Sequence, residues 1–287
     1  MEQEYASLHF DAKQEGLLSL EGFFLTHASF AGAQENDDGT VTFYIPHSEW
    51  NVDFEQSLHA FCREYPDVEF LGTETIEDRN WNAEWEATIT PVQATRDLVI
   101  TPSWKMEDAK KLGAKHIITI DPKMSFGTGH HETTRLCLAA MEELAMDGRA
   151  VLDIGTGSGV LAMYALLRGA KQAVGIDTDL WAIENAIENR ALNNFSERQF
   201  EIRQGTMDEV VKEEKFDVIL ANLHRNLLLS TVGQMQTHAT DGAYVILSGI
   251  LCYDASEVRA AYEKVNFKFI RELNENEWTA LVFQLCA

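Results

Sequence analysis

Ala6, Leu8 and Phe10 alternate with polar residues near the start of the chain, and Val41, Phe43 and Ile45 repeat the pattern after the turn-forming run Glu35-Asn36-Asp37-Asp38-Gly39. A period of two predicts half-buried strands. Phe54, Leu58 and Phe61 then fall at helical spacing, and Val68 and Phe70 open another strand. The segment from Gly22 to Ala33 reads equally well as strand or helix. The expectation for residues 1–76 is a small α+β unit, a sheet with helices on one face, its topology left open.

Residues Glu77 to Glu86 are charged and rich in tryptophan, with little that would loosen them. They predict a connecting helix over 77–88 rather than a flexible tether. Beyond it the pattern changes. Leu98-Val99-Ile100 and Ile117-Ile118-Thr119-Ile120 are short apolar runs. Strand and helix signals then alternate: strand over Ala150 to Ile154, helix over Gly159 to Leu167, strand over Ala173 to Ile176, helix over Trp181 to Asn193, with further strands at Phe200 to Arg203 and Val218 to Ala221. Apolar strands alternating with amphipathic helices predict an α/β domain over 89–287, a doubly wound parallel sheet covered on both faces.

Composition narrows the function classes. With 287 residues and 45% hydrophobic positions the chain has material for a sizeable core and a smaller second one. Its formal net charge of -23 opposes binding to a phosphate backbone, so no direct nucleic-acid partner is expected; it would steer a cationic partner instead. Cys62, Cys137, Cys252 and Cys286 lack the close spacing of zinc or redox pairs and read as reduced thiols. The acidic start Met1-Glu2-Gln3-Glu4-Tyr5 is no signal peptide, and the apolar runs fall short of a membrane span. A cytoplasmic, monomeric protein is expected.

The sharpest motif is Asp153-Ile154-Gly155-Thr156-Gly157-Ser158-Gly159, directly after a predicted strand. Glycines there let the backbone turn tightly and approach a ligand at the carboxyl end of the sheet. A dinucleotide fingerprint would need its third glycine where Val160 stands. Asp153 places a carboxylate before Gly155, badly matched to phosphates and suited to a cofactor carrying an ammonium and a sulfonium. The loop thus favours S-adenosylmethionine over a nicotinamide dinucleotide. Val174-Gly175-Ile176-Asp177 ends in a carboxylate positioned to accept both ribose hydroxyls, with Asp179 as the nearby alternative.

From Asp121 to Thr134 the chain carries Phe126-Gly127-Thr128-Gly129, then His130-His131-Glu132-Thr133-Thr134. This segment resembles the family of methyltransferases that modify ribosomal protein L11. The resemblance extends over Trp81 to Glu86, Ile100-Thr101-Pro102-Ser103-Trp104, Val151 to Gly159, Val174 to Asp177, Ala221-Asn222, Leu247 to Leu251 and Glu277-Trp278. It implies a class I, Rossmann-like methyltransferase domain behind a ferredoxin-like recognition domain and a linker helix. It implies methylation of lysine side chains and the N-terminal α-amine of that ribosomal protein. Carried over by position, it implies cofactor contacts at Thr134, Gly155, Asp177 and Asn222.

Three positions depart from the family pattern. His130-His131-Glu132 stands where Thr-His-Pro is usual, Leu223-His224-Arg225 where Ile-Leu-Ala follows the asparagine, and Thr156 where cysteine is common. Methyl transfer to an amine needs a lone pair aligned opposite the departing sulfur. Asn222, following its strand, offers a carbonyl to hold the amine, the alternative being a cap on the next helix. No proline or aromatic follows it, which disfavours a planar-nitrogen substrate. Gly157 belongs with the cofactor loop, and Phe126 either packs on the cofactor or fills the core. Adjacent His130 and His131 do not predict a metal site, since no third ligand stands near. The expectation is a protein amine methyltransferase; the alternatives are a small-molecule methyltransferase of the same fold and an inactive cofactor-binding module.

Overall fold

The computed structural model describes residues 5–27, 32–36, 38–76, 89–121 and 127–286, and the chain divides into two compact units, Met1–Thr88 and Ile89–Ala287. The connecting helix expected over 77–88 and the contact expected of Phe126 lie outside the described residues.

The first unit runs β1 (Tyr5–Ala12), α1 (Gln14–His27), β2 (Gly32–Glu35), β3 (Val41–Pro46), α2 (Val52–Glu64) and β4 (Val68–Ile76). The sheet order is β2-β3-β1-β4 with every neighbour antiparallel, the split βαβ arrangement of ferredoxin-like folds. The ambiguous segment divides between the two readings: helix to His27, strand from Gly32. Helix prevails in its first half because Leu20, Phe23 and Phe24 fall on one face and enter the core with Phe10 and Phe43. Phe24 stacks on Phe43 at 4.4 Å between centroids. Asn51 starts α2 by accepting from the amides of Asp53 and Phe54, each at 3.0 Å.

The second unit opens with β5 (Val92–Gln93), β6 (Leu98–Thr101), α3 (Met106–Lys111) and β7 (His116–Thr119). The apolar runs at 98–100 and 117–120 form a three-stranded sheet of their own, order β5-β6-β7. The main layer follows: α4 (Glu132–Glu142), β8 (Ala150–Ile154), α5 (Val160–Leu167), β9 (Gln172–Asp177), α6 (Leu180–Leu192), β10 (Phe200–Gln204), β11 (Phe216–Asn222), α7 (Arg225–His238), β12 (Ala239–Leu251), α8 (Ala255–Glu263), β13 (Phe267–Glu275) and β14 (Trp278–Leu285).

These strands build a seven-stranded sheet, order β10-β9-β8-β11-β12-β14-β13. The first five are parallel, and β14 inserts antiparallel between β12 and β13. Successive residues of a strand face opposite layers: Val151, Val218 and Leu220 join one core, and Leu152, Ile219 and Ala221 the other. Such two-sided burial is why these strands read as continuous apolar runs. The chain winds outward from β8 to β10, then crosses back to β11. The strand order therefore reverses between β8 and β11, where open α/β sheets form ligand crevices beyond their carboxyl ends.

Candidate cofactor site

At that reversal β8 runs into the glycine loop. The amides of Gly155 and Thr156 both donate to the Ile176 carbonyl, at 2.8 and 3.0 Å, so the loop continues the ladder to β9 before turning away. The Gly157 amide donates to Asp177 Oδ2 at 2.9 Å, and the Asp179 amide to Asp177 Oδ1 at 3.0 Å. Two glycines are demanded by geometry. Gly155 has φ +70°, and a Cβ there would lie 2.5 Å from Leu223 Cδ2. Gly159 has φ +81° at the N-cap of α5, and a Cβ there would lie 2.8 Å from the Phe200 ring.

Beyond the strand ends lies a cavity of about 430 Å³, a volume suited to a small-molecule ligand. It brings together four of the residues expected from the sequence: Gly155, Gly157, Asp177 and Asn222. Asp179 also lines it while capping α6 through the Trp181 amide at 3.0 Å. Sequence reasoning missed the wall formed by Gly205, Thr206 and Met207 after β10, and the apolar pair Leu223 and Leu227. A glycine directly after the predicted strand at 200–203 was the available signal for the first group.

Thr134 and Asp153 are not among the lining residues, and the direct charge contact expected of Asp153 is corrected accordingly. Asp153 is 1% exposed and sits behind the loop. Its Oδ2 accepts from Thr156 Oγ1 at 2.8 Å and from the Ala162 amide at 3.3 Å, while Oδ1 has no partner among the described residues. Burial, which disfavours the charged form, pushes its pKa up to about 7. Its role is to brace the turn and the first turn of α5. Thr134 is 1% exposed, and its hydroxyl is buried without a partner among the described residues.

The helix-capping alternative for Asn222 does not hold. His224 is the N-cap of α7, and the backbone of Asn222 pairs with Ser248 on β12. Leu223 is held beside it: its amide donates to the Ser248 carbonyl at 3.0 Å, and Gly249 lies so close that a Cβ there would be 2.6 Å from the Leu223 carbonyl oxygen. Arg225 pairs with Glu257 at 2.7 Å and Asp254 at 3.6 Å, toward α8. Neither Thr133 nor Thr134 caps α4; His131 does, accepting from the Thr133 amide at 3.2 Å. The His131 ring meets Trp278 edge-on at 5.0 Å between centroids. Arg135 pairs with Glu275 and donates to the His130 carbonyl, and Asn276 donates to Glu132 at 3.0 Å. The hairpin of β13 and β14 thus grips the start of α4.

The residues present fit S-adenosylmethionine. Asp177 spends one lone pair of each oxygen on backbone amides, and a carboxylate has about four, so acceptors remain for two ribose hydroxyls. The apolar side of the cavity, with Ile154, Ile176, Ala182, Met207 and Leu223, suits an adenine and a thioether. The unpartnered Thr134 hydroxyl is the kind of buried group a ligand satisfies.

Comparison with known proteins agrees. The sequence profile of a family described as ribosomal protein L11 methyltransferase (PrmA) matches residues 17–285. A ribosomal protein L11 methyltransferase of Chlorobaculum parvum is 37% identical over 251 residues, 86% of each chain. One of Bacteroides fragilis is 34% identical over 264 residues, 91% of each chain. Among solved structures, a ribosomal protein L11 methylase from Lactobacillus delbrueckii subsp. bulgaricus aligns with a TM-score of 0.62 and 28% identity, over 69% of this chain and 100% of that one.

Proposed function

This chain belongs to the ribosomal protein L11 methyltransferase family, and from that premise we propose that it methylates amino groups of ribosomal protein L11, on lysine side chains and the N-terminal α-amine. S-adenosylmethionine is the donor and supplies an electrophilic methyl on a sulfonium. The observation that carries the proposal is Asn222: it lines the same cavity as Gly155 and Asp177, and His224, not Asn222, caps the helix that follows.

The protein's own residues have three tasks. Asp177 and the glycine loop bind the donor, with Thr134 offering its hydroxyl and Asp153 bracing the loop from behind. Leu223 and Leu227 make part of the cavity wall apolar. A lysine ammonium, whose ordinary pKa is about 10.4, is disfavoured against such a wall and gives its proton to water. Asn222 then accepts a hydrogen bond from the neutral amine through Oδ1, which orients the nitrogen lone pair and leaves it free to attack. With no proline or aromatic after Asn222, nothing at that position stacks a planar amide or base.

The first domain, residues 1–76, serves in this reading as the recognition domain, joined through 77–88. A net charge of -23 steers a lysine-rich partner and repels nucleic acid. Among the described residues no helix is long and apolar enough to cross a membrane; the reading is completed by a cytoplasmic, monomeric enzyme. The reading as an inactive module rested on Leu223-His224-Arg225, and the Arg225 pairs to Asp254 and Glu257 account for that charge without the cavity.

The test is methyl transfer from radiolabelled S-adenosylmethionine to purified L11 and to a total metabolite extract. Label on L11 that falls about a hundredfold in Asn222→Ala, with the cofactor still bound, is the expected result. Label on metabolites alone overturns the proposal.

A further inference from the structure

Three asparagines stand at i, i+4 and i+8: Asn185 and Asn189 on α6 and Asn193 at its C-cap. That spacing puts them on one face of the helix. Asn185 and Asn189 are 2% and 1% exposed, so the bonds their amides make inside the protein matter; Asn189 Oδ1 has no partner among the described residues. At the far end Asn193 closes a two-way pair with β7: its Nδ2 donates to the Thr119 carbonyl at 2.7 Å, and the Thr119 amide donates to its Oδ1 at 2.8 Å. In the middle, Asn189 Nδ2 donates to Asn185 Oδ1 at 2.6 Å and to the Ser158 carbonyl at 3.0 Å.

Ser158 belongs to the glycine loop and is fully buried. Its hydroxyl is turned away from the strands and donates to the Gly127 carbonyl at 2.8 Å. Gly127 approaches so closely that a Cβ on it would lie 2.5 Å from Ser158 Oγ. Thr119 and Gly127 are therefore both tied to one rail, Thr119 directly by Asn193 and Gly127 through Ser158 and Asn189. Phe126 is covalently joined to Gly127, and Thr134 opens the helix that follows the same segment.

We propose that Ser158, held by Asn189, is a positioning residue for methyl transfer: it ties the Gly127 turn to the glycine loop and so holds that loop in the shape the cofactor site requires. Neither residue lines the cavity. Their effect passes through the place of the Gly127 turn. The inference rests on the reading of the glycine loop as the donor's binding site, and it is independent of which amine receives the methyl.

The experiment measures S-adenosylmethionine affinity by calorimetry for the full chain and for Ser158→Ala, Asn189→Asp and Gly127→Ala, with circular dichroism and thermal melting on each. Ser158→Ala removes the donor to the Gly127 carbonyl, Asn189→Asp removes the donor to the Ser158 carbonyl, and Gly127→Ala pushes on the same contact from the other side. Each is expected to weaken cofactor affinity about tenfold, while the Michaelis constant for the protein substrate stays unchanged. The double variant of Ser158 and Asn189 should lose little more than Ser158→Ala alone, since the two act in series. Folded variants whose cofactor affinity stays within twofold of the parent overturn the proposal, and so do fully additive losses, which would separate Asn189 from Ser158. If the parent binds the donor but labels no L11, the proposed substrate fails and this inference stands. If the parent binds no donor, both fail.

Discussion

Among the described residues Asp153 is the one carboxylate buried in the strand layer beneath the cofactor site, and its cost should be measurable as a pH dependence of stability. In the unfolded chain it ionises near its ordinary 3.8; in the folded protein burial pushes that to about 7. Between those values the native state holds the extra proton. Stability from this group is therefore greatest below about pH 4 and is lost as pH rises toward 7. At about 1.36 kcal/mol per pH unit, the whole loss is about 4 kcal/mol, of which about 3 kcal/mol falls between pH 5 and pH 8. The other titratable neighbours reinforce the direction. The charge of Asp177 raises the Asp153 pKa further, and the Cys137 thiol, pushed up by burial and by Asp153 itself, stays neutral across this range.

The perturbation is Asp153→Asn. Its carbonyl oxygen can take over both bonds that Oδ2 accepts, from Thr156 and from the Ala162 amide, while no charge remains to be buried. The amide nitrogen replaces an oxygen that already lacks a partner, so the variant loses no hydrogen bond. Urea unfolding of parent and variant, without cofactor, at pH 5, 6, 7 and 8 gives the stability difference at each pH. The variant should gain on the parent by about 3 kcal/mol from pH 5 to pH 8. A difference that stays constant across that interval would refute the reasoning, because it would mean that Asp153 titrates alike in the folded and unfolded states.

Gly155→Ala places a side chain at φ +70° and against Leu223 Cδ2. It should lower stability by about 1–2 kcal/mol and cofactor affinity at least tenfold, and Leu223→Ala in the same chain should restore only the part due to the clash, read by thermal melting and calorimetry. Asp177→Ala removes the acceptor of the Gly157 and Asp179 amides as well as the ribose site; cofactor affinity should fall by about ten- to a hundredfold, and an unchanged affinity would dismiss the ribose contact. Raising ionic strength from about 0.01 M to 1 M shortens screening from about 30 Å to 3 Å; with a net charge of -23, kcat/KM toward a basic protein should drop severalfold while cofactor affinity holds.

In the parallel half of the main sheet β8, β9 and β11 were legible because they are apolar runs buried on both faces, and helices separate β8 from β9 and β9 from β10. The antiparallel half was not. β13 alternates Phe267, Phe269 and Leu273 with charged residues and turns into β14 at Asn276, whose φ is +54°; no helix intervenes, so the alternation that reveals parallel units never reaches this hairpin. The separate sheet of β5, β6 and β7 was illegible for another reason. Leu98 to Thr101 is as fully buried as any strand of the main sheet, and which sheet such a run joins depends on pairing across the chain rather than on its own pattern. The site divided along the same line. Glycines and a strand-end carboxylate announce themselves through backbone geometry, whereas the Asn189 rail consists of polar residues on a buried helix face, which period-based reading assigns to solvent.

Three of the departures from the family pattern, at Thr156, Glu132 and Arg225, are each held by a partner outside the cavity. Thr156 stands where cysteine is common, and its hydroxyl donates to the buried Asp153 carboxylate at 2.8 Å, a bond that a weakly donating thiol would make poorly. Glu132 stands where proline is usual at the first position of a helix. There its carboxylate faces the positive end of α4 and accepts from Asn276, and the helix start and that bond together hold its pKa below the usual range. Arg225 stands where a small residue is usual and pairs with two carboxylates of the 254–257 segment. These three alter how the loops are anchored, while Leu223, the departure that lines the cavity, keeps an apolar side chain there. A cavity assembled from backbone turns, one strand-end carboxylate and one carboxamide can therefore keep its chemistry while the residues around it change.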